Sequence, residues 1–292
     1  MEDIINEIGC ITILQPYTTL RNISLLRSYV KETYTGNQNP STWYSLCKLM
    51  HRDLIDVIKK TDPPELVWFD ARNNIFKQAL VHLMGDLEIP SDVEYSTEEK
   101  YHFEQQFNSA IQLLAEKFPK TYQPLKDLIS FIIIGRRKGY EGGTTSNRIG
   151  LIWLSPDANW TLSNWVENII HEYIHNVLFL DDMINSIFLV NTKQLQAEDA
   201  LAISAIRKEK RGYDKSYHSA FVSYGIINHY LHLEQDANAL EFINPLIICI
   251  SDLITKTKVI SENGLKNLYE LAGDALKLKE KMITNNAILQ TG

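Results

Sequence analysis

The feature that most constrains this 292-residue chain is the stretch Ile169-Ile170-His171-Glu172-Tyr173-Ile174-His175, continued by Val177-Leu178-Phe179-Leu180. Its apolar residues are so dense that the segment reads as a helix enclosed by other elements. Two imidazoles and a carboxylate are costly to bury there unless they are hydrogen-bonded, paired or bound to a metal. His171 and His175 stand one turn apart on one face, so both rings can reach one cation at the roughly 2.0–2.1 Å that nitrogen ligation requires. Glu172 is turned about 100° away, where it can touch a metal-bound group without being a ligand. The pattern points to a metal centre, the other reading being a hydrogen-bonded core cluster. Asn164 is read as the cap that opens this helix, with Glu167 completing it.

Two ligands do not make a site, and three residues compete to be the third. Asp181 follows His175 by six positions, but a helix continuing through Leu180 carries it about 240° around, away from the metal. Asp181 and Asp182 are therefore read as ending the helix or sitting in solvent. Glu198, within Gln196-Ala-Glu-Asp-Ala200, is the rival donor if it projects from a second helix; its other reading is the exposed acidic side of that helix. His218 begins the apolar run His218-Ser-Ala-Phe-Val-Ser-Tyr-Gly-Ile-Ile and is the reading taken, since imidazole is a common ligand for transition metals.

Just upstream, Arg207-Lys-Glu-Lys-Arg211 carries two arginines four apart. Lys208 and Lys210 read as a solvated face. A guanidinium keeps its charge when buried and grips a carboxylate with two parallel hydrogen bonds. A metal pocket beside a fixed Arg suits a small dicarboxylic acid.

With these residues in place, the segment Ile149 to Tyr230 resembles the 2-oxoglutarate-dependent His-Glu-x-x-His peptide β-hydroxylases, enzymes encoded beside ribosomally made precursor peptides. The shared pattern is a strand ending in Ile152-Trp-Leu-Ser155, the His171 to His175 helix, and Arg207 and Arg211 placed eleven and seven residues before His218. Gly212 and Ser219 stand where the family tends to carry Pro and Gly. The resemblance implies an Fe(II) centre held by His171, His175 and His218, with 2-oxoglutarate and dioxygen as cosubstrates. It implies that Arg211, or Arg207 in its place, grips the distal carboxylate of 2-oxoglutarate. The implied reaction converts 2-oxoglutarate to succinate while a side-chain β-carbon of a precursor peptide is hydroxylated. Zinc is a possible substitute metal, since imidazole suits both ions. The alternative reading is a zinc metallopeptidase, with Glu172 as general base and Glu198 as third ligand. A third is a non-catalytic binding module that keeps a metal for structure.

The remaining sequence sets the context. Twenty-nine Lys and Arg against 36 Asp and Glu give a net charge of −7, a field that repels nucleic acid and anionic membrane surfaces. Cys10, Cys47 and Cys249 are scattered and lack a Cys-x-x-Cys spacing, so a reducing, cytoplasmic setting is expected rather than a disulfide framework. The acidic start Met-Glu-Asp-Ile-Ile-Asn-Glu lacks the pattern of a signal peptide. The run Phe242 to Ile254, interrupted by Asn244, Pro245 and Asp252, reads as a buried helix too short to span a bilayer.

The expected fold is α+β, predominantly α-helical with a small β-sheet, in which a second helix carries a ligand to the metal helix. A single domain is expected over residues 1–292: a helical part to 125, a metal-binding core over 126–240 and a helical layer over 241–292. Trp43 to Lys60 reads as one amphipathic helix. Ser96-x-x-Glu99 is a capping box before another, whose Phe103, Phe107, Ile111, Leu114 and Phe118 form a core stripe. Asp127 to Gly135 and Ile149 to Leu154 read as strands of a hairpin or sheet-edge pair, joined by a flexible loop containing Gly139, Gly142 and Gly143. Asn263-Gly264 is read as a break before the last helix, Leu265 to Met282.

Overall fold

The computed structural model describes residues 7–33, 46, 50–51, 64–69, 94–137 and 139–291. Most of the expected Trp43 to Lys60 helix lies outside the described residues. The fold is mostly helical with a small mixed sheet. The chain forms two compact units, residues 19–180 and residues 1–18 with 181–292.

The unit of residues 19–180 takes most of α1 (Pro16–Thr33), then β1 (Glu65–Trp68), α2 (Thr97–Lys117), α3 (Pro119–Leu128), β2 (Phe131–Ile134), β3 (Gly142–Gly143) and β4 (Leu151–Leu154), and α4 (Leu162–Asn185) as far as Leu180. The sheet runs β1-β2-β4-β3. β1, β2 and β4 are parallel, with Ile132 beside both Leu66 and Ile152. β3 closes one edge in the opposite sense, Gly142 against Leu154 and Gly143 against Trp153.

The hairpin expected from the two apolar strands is therefore corrected to a central parallel pair. Phe-Ile-Ile-Ile and Leu-Ile-Trp-Leu are buried at every position, and continuous apolar runs mark strands covered on both faces. The first of these strands also starts later than expected, since Asp127 and Leu128 close α3. The supposed flexible loop supplies the edge strand β3.

The sequence-derived cap of α2 is present: Ser96 and Glu99 exchange hydrogen bonds at its start. Phe103, Phe107, Leu114 and Phe118 are buried as the stripe predicts, while Ile111 is only half-buried. The indole of Trp165 packs within 5.2–6.2 Å of Phe103, Phe107 and Trp160 and donates to Gln106 Oε1 at 2.9 Å, tying α4 to α2. The start of α4 differs from expectation. Thr161, not Asn164, precedes the helix; Asn164 sits three residues in, accepts from the Thr161 amide at 2.9 Å and donates its own amide to Thr161 Oγ1. Asn thus plays the part usually taken by Glu or Gln in a capping box.

The other unit holds the last turn of α4, a short α5 (Thr192–Leu195), a hairpin of β5 (Ala202–Ile203) and β6 (Lys210–Arg211), then α6 (Tyr213–His232), α7 (Asp236–Ile254) and α8 (Glu262–Thr291). Every residue of α6 from Ser216 to Tyr230 is buried, so it is the central helix of this unit. α7 is the one described helix long and apolar enough to cross a membrane, and Ala239, Ile243, Leu246, Cys249 and Leu253 are buried along it. The N-terminal segment docks by polar contacts: the Cys10 amide donates to Tyr224 Oη at 3.1 Å, that hydroxyl donates to Asp274, and the Thr12 amide donates to Glu270. Asn263 and Gly264 do not interrupt the last helix but form its first turn. A β-carbon at Gly264 would stand 2.6 Å from Ile260 Cγ1 and 2.9 Å from Ile187 Cγ2, so close packing requires glycine there.

Candidate metal centre

From Trp165 to Leu180, α4 is buried except at Glu167, His171, His175 and Phe179. These four recur every fourth residue and form the one accessible stripe of that stretch. The rings of His171 and His175 lie 5.1 Å apart between centroids, tilted by 48°, and the His175 ring stacks towards Phe179. Helical spacing alone therefore sets two imidazoles side by side where a cation can reach them.

Glu172 points into the unit and is 4 % exposed. Its Oε1 stands 3.9 Å from His171 Nε2, and its Oε2 is buried without a hydrogen-bond partner among the described residues. Burial pushes its pKa up to about 8, because a carboxylate loses hydration there and gains no compensating donor. The edge strand passes directly beside it. A β-carbon at Gly142 would stand 3.4 Å from Glu172 Oε1, 2.8 Å from the Trp153 carbonyl and 2.9 Å from Leu154 Cδ2. Only a residue without a side chain lets β3 lie this close.

Asn176 locks the helix to the sheet. Completely buried, it donates to the Glu172 carbonyl at 2.9 Å and to Thr144 Oγ1 at 3.1 Å, and accepts from the Gly150 amide at 2.8 Å. Thr144 donates in turn to the Leu151 carbonyl. Sequence reading missed both Asn176 and Gly142 as parts of the site. The signal for Asn176 was present: an amide side chain directly after His175 in an apolar helix must find buried partners. The Trp-Leu-Ser strand is fixed likewise, by Trp153 Nε1 on the Gly135 carbonyl and by Ser155 Oγ accepting the Arg137 amide.

The other candidates belong to the second unit. Asp181 is buried and lies within α4, which runs on to Asn185; its Oδ1 accepts from Asn185 Nδ2. Asp182 Oδ1 accepts the amides of Ile187 at 2.7 Å and Phe188 at 3.2 Å, so Asp182 caps the helix end while Asp181 neither ends it nor meets solvent. Glu198 is exposed in a turn, and the second helix expected to carry it is absent: α5 ends at Leu195 and the chain enters β5 at Ala202. Arg207 is exposed in the turn of the β5–β6 hairpin, its amide held by Ser204 Oγ, whereas Arg211 is half-buried on β6, opposite Ala202 and two residues before α6. His218 lies in the second turn of α6, 4 % exposed, its ring 6.4 Å from those of Phe188 and Tyr217. Burial lowers its pKa to about 3, keeping the imidazole neutral.

Among the described residues no group of three or more His, Cys, Asp or Glu side chains is gathered to hold a metal ion. His171 and His175 fit two coordination positions of a transition metal, and the Glu172 oxygen that has no partner among the described residues is one that a metal-bound water or substrate would satisfy. No protein-family model matches the chain, and no curated protein matches it.

Proposed function

We propose that this chain is an Fe(II)- and 2-oxoglutarate-dependent oxygenase that hydroxylates a side-chain β-carbon of a ribosomally made precursor peptide. The observation that carries the reading is the imidazole pair, with ring centroids 5.1 Å apart on the accessible stripe of an otherwise buried helix, next to a carboxylate oxygen that has no hydrogen-bond partner among the described residues. His218 is assigned as third ligand from its spacing behind the arginines. When bound, Fe(II) supplies the oxidising chemistry together with dioxygen and 2-oxoglutarate.

The chain's own groups bind, orient and shield. Arg211 is the better candidate for the cosubstrate's distal carboxylate, because a half-buried guanidinium is less hydrated than the exposed one of Arg207 and stays charged. Glu172 holds or moves a proton at Oε2, close to the ligands and away from solvent. β3 pairs only with β4 among the described residues, and its other edge suits an extended peptide held by main-chain hydrogen bonds past Glu172. A cytoplasmic setting suits this chemistry, as do the free thiols of Cys10 and Cys249.

The zinc metallopeptidase reading draws on the same edge strand and on Glu172 as general base, but its third ligand, Glu198, is exposed in a turn. One experiment separates the two. With Fe(II), ascorbate, 2-oxoglutarate and a peptide encoded beside the gene, the oxygenase releases succinate and the peptide gains one oxygen atom. Zinc-dependent cleavage without 2-oxoglutarate would establish the peptidase instead.

A further inference from the structure

We propose that α8 pairs antiparallel with α8 of a second copy of this chain. One side of this 30-residue helix packs into its own unit through Leu268, Leu271, Ala275 and Met282. Away from that side, Tyr269, Leu276 and Ile283 recur every seven residues and remain 54, 53 and 57 % exposed. Leu265, Ala272 and Lys279 recur at the same interval and are half-buried. The six fall within about 80° of the helix circumference, forming the heptad seam by which one helix meets another. A scatter of single exposed apolar residues needs no explanation, but a seam of this period does.

The row beside the seam identifies what covers it. Lys266, Gly273 and Glu280 also stand seven apart. Laid antiparallel with Leu276 against Ala272 of the other copy, the helices bring Ile283 against Leu265 and Tyr269 against the stem of Lys279. This register sets Lys266 opposite Glu280 of the other copy, twice by symmetry, and turns the two Gly273 residues towards each other. A β-carbon at Gly273 would meet nothing within 4 Å, so the two backbones can approach there. A parallel pairing offers no such match, since it sets the Lys266 row beside the buried row of Leu268, Ala275 and Met282.

Lys266 is open to a partner. Its ammonium stands 4.0 Å from Glu270 Oε1 on its own helix, the outer limit of an ion pair, and Glu270 already receives the Thr12 amide. The face of α8 around Leu265 and Tyr269, bordered by Glu262, Lys266 and Glu270, is open, and Ile283 of the second copy lies over it in this register. One helix pair lies at the small end of protein interfaces, below about 1,200 Å², so the dimer is weak and concentration-dependent.

Sedimentation equilibrium of the full chain between about 5 and about 500 µM tests this. A monomer–dimer equilibrium is expected, abolished by Leu276→Glu and weakened about ten-fold by Lys266→Glu or by Glu280→Lys, with far-UV circular dichroism unchanged in each variant. Mixing equal amounts of the two charge variants restores association, because each helix with two glutamates then meets one with two lysines in the antiparallel register. A monomer at every concentration, a dimer indifferent to Leu276→Glu, or charge variants that stay weak when mixed would each overturn the inference.

Discussion

Gly142 lies against Glu172 so closely that the first atom of any side chain at position 142 would stand 3.4 Å from the Glu172 carboxylate and 2.8 Å from the Trp153 carbonyl. The edge strand and the Glu172 carboxylate are thus one packing unit. Gly142→Ala is expected to lower stability by about 1–3 kcal/mol and turnover with it, since the nearest obstacle is backbone and cannot swing aside. At Gly143 a β-carbon would come no nearer than 3.4 Å, to the Trp153 ring, so Gly143→Ala is the milder change. Chemical denaturation of the two variants side by side checks the difference.

Asn176→Ala removes the amide that joins the Glu172 carbonyl, Thr144 and Gly150. It leaves the buried Gly150 amide without its acceptor, and a loss of about 2–3 kcal/mol is expected. Metal affinity should fall too, by about 10–100-fold, as when a residue that orients ligands is lost. Unfolding curves and metal titration of Asn176→Ala read both effects.

His229 is fully enclosed in α6, and desolvation lowers its pKa to about 4, against about 6.5 in an unfolded chain. Between these values the unfolded chain binds a proton that the folded chain refuses, so stability falls as pH drops from about 6.5 towards 4 and is retained above that window. The contribution at full extent is on the order of 3 kcal/mol. Urea midpoints measured from pH 7.5 to 4 should show the slope, and His229→Gln should reduce it, the buried His218 supplying a further part of the same sign.

Glu172→Gln keeps the shape of the side chain but not its proton chemistry. Bound metal should remain near the level of the unaltered protein while turnover falls by about 10²–10⁴-fold. Metal analysis run beside succinate formation distinguishes this outcome from simple loss of the ion.

The parts of the fold legible in the sequence were those written in local pattern. The Ser96–Glu99 exchange, the Phe103 to Phe118 stripe and the helical placement of His171 and His175 all depend on neighbours within a turn or two. Pairing direction was not legible, because Phe131–Ile134 and Leu151–Leu154 acquire their parallel register from β1 far upstream and from β3 at the edge. Glycine misled twice for one reason: Gly142 and Gly264 look like loop or breaker residues, yet both are required by close packing that only the folded chain creates. Asp182 was legible as a helix end; Asp181, one residue earlier, faces the interior instead.

The central claim is that His171 and His175 hold one transition metal. Titration of the purified, metal-stripped chain with Fe(II) under anaerobic conditions, followed by elemental analysis, tests it most directly. One tightly held ion per chain is predicted, with affinity reduced at least about 100-fold in His171→Ala and in His175→Ala. Unchanged stoichiometry and affinity in the His171→Ala/His175→Ala double variant would contradict the account.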